Sequence, residues 1–78
     1  MQSSRKLDPI AVGIKRIISD KGLVQKGVAN RAGLTEQQFS DMLNDRKIIR
    51  AIDLFGIADA LGVEIAEIYE AGRAAARQ

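Results

Sequence analysis

Apolar residues recur along this chain at helical spacing. Ile10, Ile14, Ile17 and Ile18 fall at i, i+4, i+7 and i+8, one stripe on a helix that Asp8 would cap and Pro9 would begin. Gly22, free to take a positive φ, is expected to end it. Val28 and Ala32, four apart, mark a second helix from about Val24 to Arg31, with Ala29 and Gly33 small beside a turn. Thr35 then caps a third helix, whose buried face is Phe39, Met42 and Leu43 at i, i+3 and i+4. Asn44-Asp45 ends that helix. A fourth, over roughly 51–61, points Leu54, Phe55, Ile57, Ala58 and Leu61 inward and closes at Gly62. A short last helix over about 64–71 offers Ile65, Ile68 and Tyr69, and the Ala/Arg tail from Gly72 onward can continue it as a frayed helix. No period-two strand pattern and no internal repeat competes. The expectation is an all-α domain of five short helices over residues 8–72, with a flexible arm at 1–7 and a tail at 73–78.

Composition narrows the chemistry. At 78 residues the chain is near the lower limit for folding without staples, and it has no Cys, His or Trp. Disulfides, thiolate or imidazole metal sites and Ser-His-Asp or Cys-His catalysis are therefore excluded, and no cofactor is expected. With 46% hydrophobic but only 4% aromatic residues, the core must be aliphatic. No apolar run reaches 18 residues and no signal peptide is visible, so no membrane span is expected and the cytoplasm is the default compartment.

The formal net charge of +2 conceals an alternation. Residues 1–31 carry seven bases and two acids, whereas residues 32–45 carry Glu36, Asp41 and Asp45 and no base. Arg46, Lys47 and Arg50 follow, and residues 51–72 carry five acids alone. Such segregation points to a one-sided electrostatic surface.

The distinctive stretch is Gln25-Lys26-Gly27-Val28-Ala29-Asn30-Arg31-Ala32-Gly33-Leu34-Thr35 followed by Glu36-Gln37-Gln38-Phe39-Ser40-Asp41-Met42-Leu43. It resembles the Cro and phage-repressor type of helix-turn-helix domain. Ala29 matches the small residue where the two helices cross, and Gly33 the turn. Leu34, Phe39 and Met42 match the apolar positions that hold the second helix against the first. Gln25 matches the polar residue that opens the motif. Lys21-Gly22-Leu23 before it, and Leu54, Ile57-Ala58, Leu61-Gly62-Val63, Ile65 and Ile68 after it, extend the resemblance over about residues 8–70. It implies a five-helix, lambda-repressor-like DNA-binding domain that regulates transcription, repressor-like, as a homodimer on double-stranded DNA. Physically, one helix fits the major groove and the other braces it across the backbone, and glycine keeps their connection short.

At about 100° per residue, Glu36, Gln37, Ser40, Asp41 and Asn44 share an arc of roughly 140° on the third helix, opposite Phe39, Met42 and Leu43, with Gln38 on a flank. These six polar residues are the candidate base readers. Gln37 or Gln38 could pair bidentately with adenine, and the resemblance favours Glu36, Gln37 and Asp41. Gln25, Lys26 and Thr35 before the helix, and Arg46 and Lys47 after it, are the candidate phosphate contacts, which give affinity and register. Arg5 and Lys6 belong to the arm.

Three features depart from the family pattern. Glu36 and Asp41 make the groove-facing helix acidic. Gly27 lies mid-helix, at a cost of up to about 1 kcal/mol. Ile48-Ile49-Arg50 stands where the family often has Pro and Ser, which weakens the cap of the fourth helix and leaves two isoleucines to bury, either in the core or against a partner. The acidic segment, with Ile48, Ile49 and Tyr69, also suits an antitoxin-like or protein-interaction module on the same fold. Glu64, Glu67 and Glu70 share a helix face, but without a pocket or a second catalytic type they suggest no enzyme.

Overall fold

The structure, a computed structural model, describes residues 9–76, with side chains as far as Ala75. It contains α1 (Pro9–Lys21), α2 (Gln25–Arg31), α3 (Glu36–Leu43), α4 (Ala51–Leu61) and α5 (Ile65–Ala76), and no strand among the described residues. The expected arm at 1–7, the cap at Asp8 and the last two tail residues lie outside the described residues.

The largest fully buried side chains among the described residues are Ile14, Phe39, Met42, Ile57 and Ile68, where the helices converge. Val28 and Ala29 add the contribution of α2, and Ile10, Leu34, Ile49 and Leu54 pack around the edge. Every buried side-chain nitrogen or oxygen among the described residues has a hydrogen-bond partner. The all-α, five-helix architecture is the one the apolar spacing predicts.

The helix ends follow one local chemistry. Past α2, Gly33 takes φ 78°, the Leu34 N–H donates to the Ala29 carbonyl at 2.9 Å, and the Gly33 N–H donates to that of Asn30 at 3.2 Å. This pairing satisfies carbonyls that a helix end would otherwise leave without donors. Past α3 the same left-handed position is held by Asp45 at φ 62°, and the Arg46 N–H donates to the Asp41 carbonyl at 2.8 Å.

One expectation is corrected: Phe55 is not inward but 61% exposed, and Ile52 is exposed too. Of the two isoleucines before α4, Ile48 is 81% exposed and Ile49 is half-buried against the core. The last helix continues past Ala71 to Ala76. Gly72 is buried within it, because α1 crosses α5 there. A Cβ on Gly72 would overlap the carbonyl oxygen of Pro9, and a Cβ on Gly13 would overlap that of Ile68. The two glycines let two backbones touch, in the most extensive helix pairing of the fold.

The start of α4 is also firmer than the sequence suggests. Asp53, at the third helical position, accepts from the Arg50 backbone N–H at 3.2 Å and from its guanidinium at 3.0 and 3.2 Å. The carboxylate thus serves an orphan helix-start donor and an ion pair together.

Candidate nucleic-acid interface

The two helices of the motif meet through their small and apolar residues. Ala29, Phe39 and Met42 are at most 1% exposed, and Leu34 is half-buried beneath the turn. With Phe39, Met42 and Leu43 fixed against the core, the opposite side of α3 must face outward. Glu36, Gln37, Gln38 and Asn44 are exposed, and Ser40 and Asp41 half-buried.

Gln25, Thr35, Glu36, Gln37 and Ser40 line a single surface hollow of about 530 Å³. Residues chosen from two separate helices are therefore brought together. Arg46 and Lys47 lie at the far end of α3, on a second hollow of about 330 Å³ with Ile48 and Met42. The candidate phosphate contacts thus bracket the polar face, one set at each end. Lys26 is exposed but outside both hollows. Gln25 and Lys26 are the first two residues of α2.

Hydrogen bonds within α3 sort the six candidate readers. Gln38 is committed to the helix start: its Oε1 accepts from the Thr35 N–H at 2.9 Å, while its own N–H donates to Thr35 Oγ1 at 3.0 Å. This reciprocal cap turns the Gln38 amide back to the helix start, occupies one lone pair of its Oε1 and gives the Thr35 N–H a partner within the chain. The Thr35 hydroxyl hydrogen stays available, since Oγ1 only accepts in the cap. Asn44 turns back, its Nδ2 donating to the Ser40 carbonyl at 2.8 Å, so it closes the C-terminus of α3. Gln37 remains outward, with Nε2 donating to Asp41 Oδ1 at 2.9 Å.

The other acids of interest are tied to helix structure. Glu67 Oε1 accepts from the Glu64 N–H at 2.9 Å, a reach-back bond at the start of α5, and Glu70 pairs with Arg73 at 3.7 Å. No cluster of three or more Asp or Glu among the described residues could hold a metal, and no described helix is long and apolar enough to cross a membrane. Sequence reasoning missed Gly13, Gly72, Gly56 and Asp53 as supports of this surface. Gly56 faces Ala32, where a Cβ would stand 3.2 Å from the Ala32 carbonyl oxygen, so it lets α4 sit close behind α2.

Comparison with known proteins agrees with this geometry. A family model, the Cro/C1-type HTH DNA-binding domain, matches residues 13–72. Among solved structures the chain is similar to the crystal structure of the clp gene regulator ClgR from C. glutamicum, with a TM-score of 0.79 and 17% identity over 88% of this chain and 90% of that one. At that identity the likeness is one of fold. No curated protein sequence matches. With its motif helices, its buried supports and most of its length covered by the model, the chain belongs to the Cro/C1-type helix-turn-helix DNA-binding domain family.

Proposed function

We propose that the protein is a sequence-specific regulator of transcription that binds double-stranded DNA with α3 in the major groove, in the repressor-like manner its family resemblance suggests. The observation that carries this reading is the outward polar face of α3, backed by buried Phe39, Met42 and Leu43 and bracketed by Gln25 and Thr35 at one end and by Arg46 and Lys47 at the other. Side chains on such a face reach base edges, while the flanking groups hold phosphates and fix register. Glu36 and Asp41 lower the background: they repel phosphates on any sequence, and an acid can still accept from cytosine N4.

A homodimer gives this arrangement its length. Ile48, Ile52 and Phe55 form an exposed apolar stripe directly after Arg46 and Lys47. Pairing through the stripe with a second copy is the dimer we infer, one in which the two α3 helices would have to meet half-sites about 34 Å apart on a near-palindrome. The same stripe also supports the second reading, docking of an unrelated protein in an antitoxin-like module.

Selection on random duplex DNA at two salt concentrations tests the main reading. Enrichment of a two-fold symmetric site is expected, with affinity falling steeply as salt rises. Lys47→Ala should weaken all sequences alike, whereas Gln37→Ala should change preference at one base pair. No enrichment at low salt would overturn the assignment and favour the protein-docking reading.

A further inference from the structure

We propose that Asp41 is a positioning residue rather than a base reader: it holds one amide hydrogen of Gln37 and so makes Gln37 select adenine over guanine. The proposal rests on the groove-facing reading of α3 and deepens it. The two side chains are one helical turn apart, Nε2 to Oδ1 at 2.9 Å. An ionised carboxylate can only accept, so chemistry alone decides which end of the amide faces Asp41. Nitrogen turns toward the acid, and Oε1 is left outward with the one remaining N–H.

Nothing else claims Asp41. Among the described residues the ion pairs are Arg16–Asp20, Arg50–Asp53 and Arg73–Glu70, and no cation pairs with Asp41. Its backbone carbonyl serves the Arg46 N–H, but the hydrogen bond of its carboxylate is to Gln37. The half-buried position of Asp41 beside exposed Gln37 suits a support better than a reader.

The consequence follows from the two purine edges. Adenine offers an acceptor at N7 and a donor at N6, which one N–H and one carbonyl oxygen of glutamine match. Guanine offers acceptors at both N7 and O6. An unrestrained glutamine can turn both amide hydrogens toward guanine. With one hydrogen held by Asp41, only one is left, and a guanine acceptor goes unpaired beside a carboxylate. Gln38 is less well placed for this pairing, because its amide is turned back into the Thr35 cap.

The experiment is selection on random duplexes with the full chain and with Asp41→Ala, Asp41→Glu, Asp45→Asn and Gln37→Ala, each checked for retained folding by its melting midpoint. The parent is expected to prefer adenine to guanine at one position by about tenfold, and Gln37→Ala to erase that preference. Asp41→Ala should narrow it at least about fivefold while raising affinity for all sequences. Asp41→Glu, which keeps an acceptor-only group within reach, should restore it. Asp45→Asn removes the same charge from an exposed position past the end of α3 and should raise general affinity with the preference intact. An adenine-to-guanine ratio that Asp41→Ala leaves within about twofold of the parent overturns the proposal, as does failure of Asp41→Glu to restore it. A parent that selects no sequence at all overturns the DNA reading itself.

Discussion

The carboxylate of Asp53 grips both the backbone N–H and the guanidinium of Arg50, at 3.0 to 3.2 Å, although Asp53 itself is only 8% exposed. The hydrogen bonds from the Arg50 side chain outweigh burial, which pushes the other way, and with the Arg50 backbone N–H and the nearby positive charges they hold the Asp53 carboxyl below its ordinary value. A carboxylate whose pKa is lower folded than unfolded stabilises the fold fully above its unfolded value, about 3.9, and loses that contribution as the pH falls through its folded value. Asp53→Ala is therefore expected to cost on the order of 1–2 kcal/mol at pH 7. Urea unfolding should show the gap to the parent closing in acid, below the folded pKa of Asp53. A gap that stayed constant into strong acid would mean that packing, not the ion pair, carries the cost.

Three glycines separate by environment. Gly13 and Gly72 have backbone carbonyls of the facing helix where a side chain would go, whereas Gly27 has nothing within 4 Å. Gly13→Ala or Gly72→Ala should destabilise by about 1–3 kcal/mol or more, since backbone cannot turn aside as a side chain can. Gly27→Ala should stabilise by up to about 1 kcal/mol through helix propensity. Thermal midpoints of the three variants would move in opposite directions, and equal losses at all three would contradict the close crossing of α1 and α5.

Asp45 holds a left-handed conformation without being glycine. Relieving its Cβ by Asp45→Gly is expected to stabilise the chain by about 1 kcal/mol. The change also removes an acid next to Arg46. DNA binding by the variant should tighten at low salt and keep its sequence preference, because no base reader is altered. Chemical denaturation together with a salt titration of binding checks both halves.

The exposed stripe of Ile48, Ile52 and Phe55 should matter little to a single copy. Ile52→Ser with Phe55→Ser is expected to change unfolding free energy by no more than about 1 kcal/mol in total. Sedimentation on a duplex with two half-sites should show the loss of the second copy. A pair that forms unchanged on DNA places the protomer contact elsewhere.

What could be read from the sequence was local. Thr35 as a cap, Gly33 as a turn and Phe39, Met42 and Leu43 as a buried face all depend on neighbours within one or two turns. Phe55 was misplaced because eight of the eleven residues of α4 are apolar, so periodicity has no polar face against which to orient the helix. Gly72 looks like a stop signal in isolation. Its packing role depends on Pro9, far away in sequence, and no local pattern carries that. The cap at Asp53 was hidden because Arg50 occupies the position where Ser or Thr would announce it. Among the candidate readers, residue type and helical angle placed Gln37 and Gln38 together. Only the hydrogen bonds distinguish an amide spent on capping from one left for a ligand.

The clasp between α1 and α5 joins segments that lie far apart in sequence, while the turn between α2 and α3 joins neighbours. Contacts of short range close cheaply and early during folding, and contacts of long range come after most of the loop entropy has been spent. The helix pair that would read DNA can thus assemble quickly, yet becomes durable only when the two distant helices lock. Its stability as an ordered surface therefore depends in part on a close crossing that two glycines permit, on helices that contribute no candidate DNA contact.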